Sequence, residues 1–262
     1  NTVRPSRETV EDALTGNLCR CTGYRPVMDA AMQACSGNGA DHSVASGAAI
    51  AEMLRSIAAK DNNRSLHIAA PGQTYHRPVS LPEALSLLHE KPSATLLGGA
   101  TDVALRVTKR NERLTEIIDI SALPELKRFS IHDDKAVIGA GIPLEEVKTL
   151  VLEPFPALAA MLAVFGSRQI RCAATLGGNL GTASPVGDTL PVLMAYSAVI
   201  NLAGVQGLRS VPVNDFITGY RRTARRQNEL IVSVEIPLHG KETQVRSYKI
   251  SKRKDMDIST VS

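Results

Sequence analysis

The stretch Phe165-Gly-Ser-Arg-Gln-Ile-Arg-Cys-Ala-Ala-Thr175-Leu176-Gly177-Gly178-Asn179-Leu-Gly-Thr-Ala-Ser-Pro-Val-Gly-Asp188 decides how the chain is read. It begins at the end of a helical pattern over Ala157 to Phe165 and carries a glycine pair, Gly177-Gly178. Glycine has no Cβ, so a turn built from it lets a phosphate come close to backbone N–H groups. A second run of this kind, Leu96-Leu97-Gly98-Gly99-Ala100-Thr101-Asp102-Val103, follows an apolar strand-like segment. A single run reads most simply as a tight turn, whereas two brought side by side would form a nest for a diphosphate. Neither run continues into Lys-Ser/Thr, as a phosphate-binding loop of the Walker type requires, and neither has the Gly-x-Gly-x-x-Gly spacing of a dinucleotide fold. Ile138-Gly-Ala-Gly-Ile-Pro-Leu144 comes nearer that spacing, but Leu144 stands at the third glycine and Pro143 in the turn, so it reads as strand-end geometry.

Working outward from these runs, short apolar segments alternate with amphipathic ones. Strands are expected at Ala94 to Leu97, Glu116 to Ile120, Ala136 to Ile138, Ala198 to Leu202, Leu230 to Ile236 and Val245 to Ile250. Helices are expected at Leu144 to Leu152, at Ala157 to Phe165, and from a capping box at Ser80-Leu-Pro-Glu83 to about Glu90. This mixture indicates an α+β or α/β fold rather than a barrel of strands alone. Upstream, Glu8 to Leu14 and Arg25 to Cys35 have helical spacing. The Gly-, Ala-, Ser- and Asn-rich region from Ser36 to about Asn63 has linker composition, with one weakly helical patch at Ala48 to Ala59.

Between the two upstream helices lies Gly16-Asn-Leu-Cys19-Arg-Cys21-Thr-Gly-Tyr-Arg-Pro26. Two thiols two residues apart would close a strained ring if they paired with each other, but they can converge on one metal ion if the turn aims both inward. Half an iron–sulfur site, half a zinc site and two incidental cysteines all remain open on spacing alone. Cys35 and Cys172 read as packing residues. Asp188, at the start of an apolar segment, suits either a helix cap or a carboxylate that accepts from ligand hydroxyls. Phe165 has core packing as its default reading.

Composition excludes several classes. No run approaches the roughly 18 apolar residues of a membrane helix. Aromatics at 3% without tryptophan do not supply a stacking platform for single strands. Four cysteines in 262 residues are too few for a disulfide scaffold and point to a reducing, cytoplasmic compartment. The six histidines are scattered, and neither a Ser/His/Asp nor a Cys/His arrangement emerges. The net charge of +4 is unevenly placed: Arg221 to Lys254 holds ten basic against three acidic residues. Such a run is usually a solvated face and otherwise a footprint for an anionic ligand. A nucleic-acid-binding module is the remote alternative, and it leaves the two glycine runs unexplained.

Taken together, these stretches resemble the molybdenum-containing hydroxylase family, most closely the small iron–sulfur/flavin subunits of its purine-oxidising branch, the xanthine dehydrogenases. Gly16 to Pro26 is similar to that family's second [2Fe–2S] motif and Phe165 to Asp188 to its flavin-domain signature, and the resemblance covers nearly the whole chain. It implies an α+β fold with three parts. Residues 1–35 would be the C-terminal part of a small helical [2Fe–2S] domain, 36–65 a linker, and 66–262 a two-subdomain FAD-binding domain with its boundary near 122–125.

It further implies that Leu96, Leu97, Gly98, Gly99, Ala100, Thr101, Asp102 and Val103, together with Thr175, Leu176, Gly177, Gly178 and Asn179, hold the FAD diphosphate. Phe165 would lie near the isoalloxazine, Asp188 on cofactor hydroxyls, and Ile231 and Lys249 would complete the site. Ile231 stands where relatives often have Leu, and Gly98, Ala100 and Asp102 replace other residues of the animal enzymes. Cys19 and Cys21 would be cluster ligands, but they are two of four. The chain is therefore expected to lack an upstream Cys-x-x-Cys, and also a C-terminal flavin subdomain. The implied activity is electron transfer from a molybdopterin centre on a large partner subunit, through [2Fe–2S] clusters and FAD to NAD, during hypoxanthine or xanthine oxidation. An aldehyde or N-heterocycle hydroxylase is the alternative. The implied assembly is a hetro-oligomer with that large subunit and the rest of the small subunit, without membrane or nucleic acid.

Overall fold

The structure is a computed structural model that describes residues 4–19, 21–36, 42–61, 64–240, 242–253 and 256–260. The chain starts with α1 (Arg7–Leu14), whose Ser6 hydroxyl accepts from the Thr9 N–H, and α2 (Tyr24–Ser36). Val10 and Met28 are the buried apolar residues of this pair, so it has little core of its own. The expected weak helix at Ala48 to Ala59 is longer, forming the 20-residue α3 (His42–Asp61).

The next unit is a four-stranded sheet built from β1 (Leu66–Ala70), β2 (Gln73–Arg77), β3 (Thr95–Leu97) and β4 (Glu116–Asp119), in the order β1-β2-β4-β3. β1 and β2 form an antiparallel hairpin, while β4 runs parallel to both β2 and β3. Parallel neighbours need crossover connections, which α4 (Leu81–Glu90) and α5 (Val103–Arg110) help supply. The expected capping box is replaced by other bonds. Glu83 accepts from the Val79 N–H, but Ser80 makes no cap bond, and the Leu81 N–H goes to Glu125 instead.

A short 3₁₀ turn, Pro124–Lys127, leads into a five-stranded antiparallel sheet. Its strands are β5 (Phe129–His132), β6 (Lys135–Gly139), β7 (Val199–Gly204), β8 (Gly207–Pro212) and β11 (Leu230–Pro237), ordered β5-β6-β11-β7-β8. Between β6 and β7 the chain forms α6 (Leu144–Leu150), α7 (Pro156–Ala163), α8 (Arg168–Ala173), α9 (Leu176–Thr182) and α10 (Thr189–Ala195). After β8 come α11 (Val213–Phe216) and a small hairpin of β9 (Ile217–Gly219) and β10 (Arg222–Thr223).

The main core lies between the five-stranded sheet and these helices. Ile138, Ile200, Leu202, Val234 and Ile236 face Leu144, Val147, Leu158, Leu162, Leu180 and Leu193, all fully buried. A second cluster of Ala84, Leu88, Ile118, Leu123, Leu126 and Leu230 joins the two sheets, because α4 and β4 share it with the start of β11. That junction fixes where loops from the two sheets meet.

Three expectations need correction. Val245 to Ile250 is not a strand: Ser247 donates to the Ala157 carbonyl and Lys249 to Asp188, so side chains rather than a ladder hold the segment. Cys35 and Cys172 are exposed rather than packed. Asp188 occupies the position before α10 but makes no cap bond.

Phe155 precedes α7, is fully buried and meets Tyr196 edge-to-face at a centroid distance of 5.1 Å. Phe155→Ala should cost about 3–5 kcal/mol, read as a lower urea midpoint; an unchanged midpoint would remove this ring from the core.

Candidate functional site

Loops from both sheets enclose a cavity of about 800 Å³, within the range of cofactor sites. The first sheet contributes the turn after β3 and the start of α5. The second contributes the ends of β6 and β11 and the segment from Phe165 to Gly187.

The two glycine runs meet here. Gly98 lies against Thr175, whose hydroxyl would sit 3.3 Å from a Cβ added at that glycine. At Gly99 the approach is closer still, and an added Cβ would overlap the Ala173 carbonyl. Glycine is thus required because the two walls touch there.

The runs differ in what they offer a ligand. In the second, the N–H groups of Leu176, Gly177, Gly178 and Asn179 donate to Ile142 O, Ala140 O, Thr175 Oγ1 and Thr175 O. In the first, the N–H groups of Gly99, Ala100, Thr101 and Asp102 have no acceptor among the described residues. Ala100 is held at φ +62°, a left-handed conformation that costs a non-glycine residue roughly 1 kcal/mol. Left-handed residues in such turns create concave sets of N–H groups suited to anions. The first run is the donor and the second, bare of side chains at Gly177 and Gly178, is the wall.

Of the residues singled out from sequence, Leu96, Gly98, Gly99, Ala100, Thr101, Asp102, Val103, Phe165, Thr175, Gly177, Gly178, Asn179 and Ile231 line the cavity. Leu97, Leu176, Asp188 and Lys249 do not. Leu176 is fully buried in the main core. Asp188 Oδ2 accepts from Lys249 Nζ at 2.7 Å, with both side chains about 5–6% exposed. Lys249 also lies 3.4 Å from the Val164 carbonyl, so this pair braces the wall behind Phe165. Ile231 reaches the cavity at an irregularity in β11, where the register with β7 shifts between Ile231 and Ser233. Such bulges redirect side chains beside functional sites.

Sequence reasoning missed Ala140 and Gly141, which line the cavity from the Gly-x-Gly motif set aside as strand-end geometry. It also did not single out Arg225 within the basic run. Arg225 lines the cavity and donates through Nη1 to the carbonyls of Arg226, Gln227 and Glu229. Burial works against its cation, yet guanidinium stays charged, and no carboxylate pairs with it among the described residues. A half-buried cation facing a cavity is complementary to an anionic ligand. Much of the remaining basic run is paired internally: Arg221 with Asp102, Arg226 with Glu229, Lys249 with Asp188 and Arg253 with Asp257.

The thiols are a separate feature. Cys19 and Cys21 are exposed. Cys19 Sγ lies 2.8 Å from the Thr22 hydroxyl, whose hydrogen bond lowers the Cys19 thiol below its ordinary value. The described residues hold no group of three or more His, Cys, Asp or Glu placed for a metal ion. The two exposed thiols are the right kind and number for half of a four-thiolate [2Fe–2S] ligand set.

The geometry gives a cavity with unpaired backbone donors and one half-buried cation at its lining, next to a loop carrying two thiols. A family model described as "FAD binding domain in molybdopterin dehydrogenase" matches residues 67–239, and one described as "[2Fe-2S] binding domain" matches residues 1–32. The chain belongs to the molybdenum hydroxylase family of oxidoreductases and carries its FAD-binding domain. It is 30% identical over 314 aligned residues to a xanthine dehydrogenase of Emericella nidulans, covering 100% of this chain and 23% of that protein. A xanthine dehydrogenase/oxidase of Gallus gallus is 27% identical, covering 100% and 24%. The chain thus spans about a quarter of the length of these relatives. Among solved structures, carbon monoxide dehydrogenase from Hydrogenophaga pseudoflava superposes with a TM-score of 0.69 at 28% identity, covering 74% of this chain and 68% of that one. Quinoline 2-oxidoreductase from Pseudomonas putida 86 gives 0.67 at 26%, covering 72% and 67%.

Gly99→Ala should force the walls apart, costing about 1–3 kcal/mol and removing bound flavin; full flavin retention would contradict the close approach. Glu229, buried under Arg225, is held below its ordinary value by the Arg209 hydrogen bond. Its contribution is present above the ordinary carboxyl value and is lost as pH falls through the depressed one. Glu229→Gln should therefore flatten the acid side of the stability profile, and an unchanged slope there would exclude this pair as a source.

Proposed function

We propose that this chain is the flavin-bearing electron-transfer part of a xanthine dehydrogenase, in which a purine is hydroxylated at a molybdopterin centre on a large partner subunit and electrons pass through [2Fe–2S] clusters and FAD to NAD. The reading assigns residues 1–35 to the [2Fe–2S] domain, 36–65 to the connection and 66–262 to the FAD-binding domain, with a subdomain boundary near 122–125. The observation that carries it is the cavity of about 800 Å³ walled by both glycine runs and Phe165.

In this reading the chain binds and orients its cofactor and supplies no acid or base to the chemistry. The unpaired N–H groups of Gly99 to Asp102 take the diphosphate, and the side-chain-free surface at Gly177 and Gly178 lets it lie flat. Phe165 and Ile231 flank the ring system and keep water from it. Arg225 faces the anionic part, while Asp188 and Lys249 act from behind the wall. Cys19 and Cys21 provide two thiolates, with the other two from the rest of the same subunit. The assembly is a cytoplasmic hetero-oligomer.

A second reading, an iron–sulfur/FAD subunit for an aldehyde or N-heterocycle hydroxylase, draws support from the likeness to quinoline 2-oxidoreductase. The full-length protein, expressed with its molybdopterin partner, separates the two. Xanthine-dependent NADH formation by a preparation with a flavin absorbance band is expected. Turnover confined to aldehydes or N-heterocycles would favour the second reading, and a colourless preparation that takes up no FAD would refute both.

A further inference from the structure

Arg171, on α8, has about 1% of its surface exposed, although it carries a permanent charge. A buried cation is tolerable only if its donors are satisfied and its charge is matched. Arg171 meets that condition with groups from three parts of the chain. Nε donates to Glu145 Oε2 on α6 at 2.6 Å. Nη2 donates to Asp12 Oδ1 on α1 at 2.9 Å, and Nη1 lies 3.2 Å from the Phe165 carbonyl and 3.4 Å from that of Gly166. Burial works against the Arg171 cation and the Glu145 anion alike, and their hydrogen bonds outweigh it: Arg171 is held above its ordinary value and Glu145 below.

The contact continues towards the thiols. Gln169 Nε2 donates to the Ala13 carbonyl at 2.9 Å. Gly16, three residues before Cys19, packs so tightly that an added Cβ would lie 2.5 Å from Gln169 Oε1 and 3.0 Å from Ser167 Oγ. One short segment, Phe165 to Arg171, therefore touches the thiol-bearing unit through Ser167, Gln169 and Arg171 and lines the cavity through Phe165 and Ile170.

We propose that Arg171 is a positioning residue that clamps the Cys19/Cys21 loop to the flavin cavity and fixes their spacing. This rests on the function proposed above, since the spacing matters only if electrons cross it. The planar guanidinium is needed because its donors sit on three nitrogens and reach Glu145, Asp12 and the Phe165 carbonyl in different directions, whereas lysine's three donors all radiate from one atom.

The test uses the full-length protein with its partner subunit. Asp12→Asn removes the anion that faces Arg171 at 2.9 Å and, more weakly, the exposed Arg168 at 3.9 Å, and leaves the Glu145 and carbonyl contacts in place, so the flavin domain keeps its fold. Amides of α1 and the thiol loop should exchange with deuterium about tenfold faster, the factor expected when a charge-assisted hydrogen bond becomes a neutral one. Exchange in α6 and α9 and the flavin content should not change, while substrate-driven bleaching of the flavin slows several-fold. Asp12→Glu should restore both rates. Unchanged exchange would overturn the clamp, and faster exchange with unaltered bleaching would overturn its positioning role. A wild-type protein that holds flavin but never bleaches it would instead contradict the function beneath the proposal, with the exchange arm still deciding the clamp.

Discussion

The contact of Gly98 and Gly99 with Ala173 to Thr175 is the constraint on which the site depends. The two sheets share a small apolar cluster under α4, and that junction brings the turn after β3 to the segment between α8 and α9. A side chain at Gly99 would separate them. With none there, the turn presents unpaired N–H groups, and the opposing wall is bare of side chains at Gly177 and Gly178. Neither sheet alone encloses the cavity, so the cluster that joins them is also what forms the site.

Charge is arranged on the same plan. The basic run from Arg221 onward looks from its composition like a footprint for an anion, but four of its cations, Arg221, Arg226, Lys249 and Arg253, are already matched by carboxylates of the chain. Among the described basic residues of the run, Arg225 is the one that lines the cavity, held by carbonyls and with no carboxylate in direct contact. The buried Asp188–Lys249 pair lies behind Phe165 and does not line the cavity. Residues that look equivalent in a run of sequence thus divide into one that faces the ligand and several that hold the wall.

Much of this was legible in the chain itself. Apolar runs such as Leu230 to Ile236 and Ala136 to Ile138 mark strands because their alternation matches a half-buried sheet, and the glycine pairs mark the site because little else explains them. What escaped has physical reasons. β1 is only five residues long with every residue exposed, so no buried face in the sheet marks it. α9 is rich in glycine, poor helix formers by propensity, and forms through its Thr175 cap and packing of Leu176 and Leu180. Val245 to Ile250 has strand-like composition, but tertiary side-chain contacts hold it outside any ladder. Arg171 and Arg225 could not be told from surface arginines, since only the fold brings Asp12, Glu145 and the cavity to them.

The most direct measurement of the central claim is a titration of the flavin-free protein with FAD, FMN and riboflavin, following flavin fluorescence. If the turn from Gly99 to Asp102 holds a diphosphate, FAD binds far more tightly than either shorter flavin, and the advantage vanishes in Gly99→Ala. Equal affinity for riboflavin and FAD, or no binding of any flavin, would contradict the account.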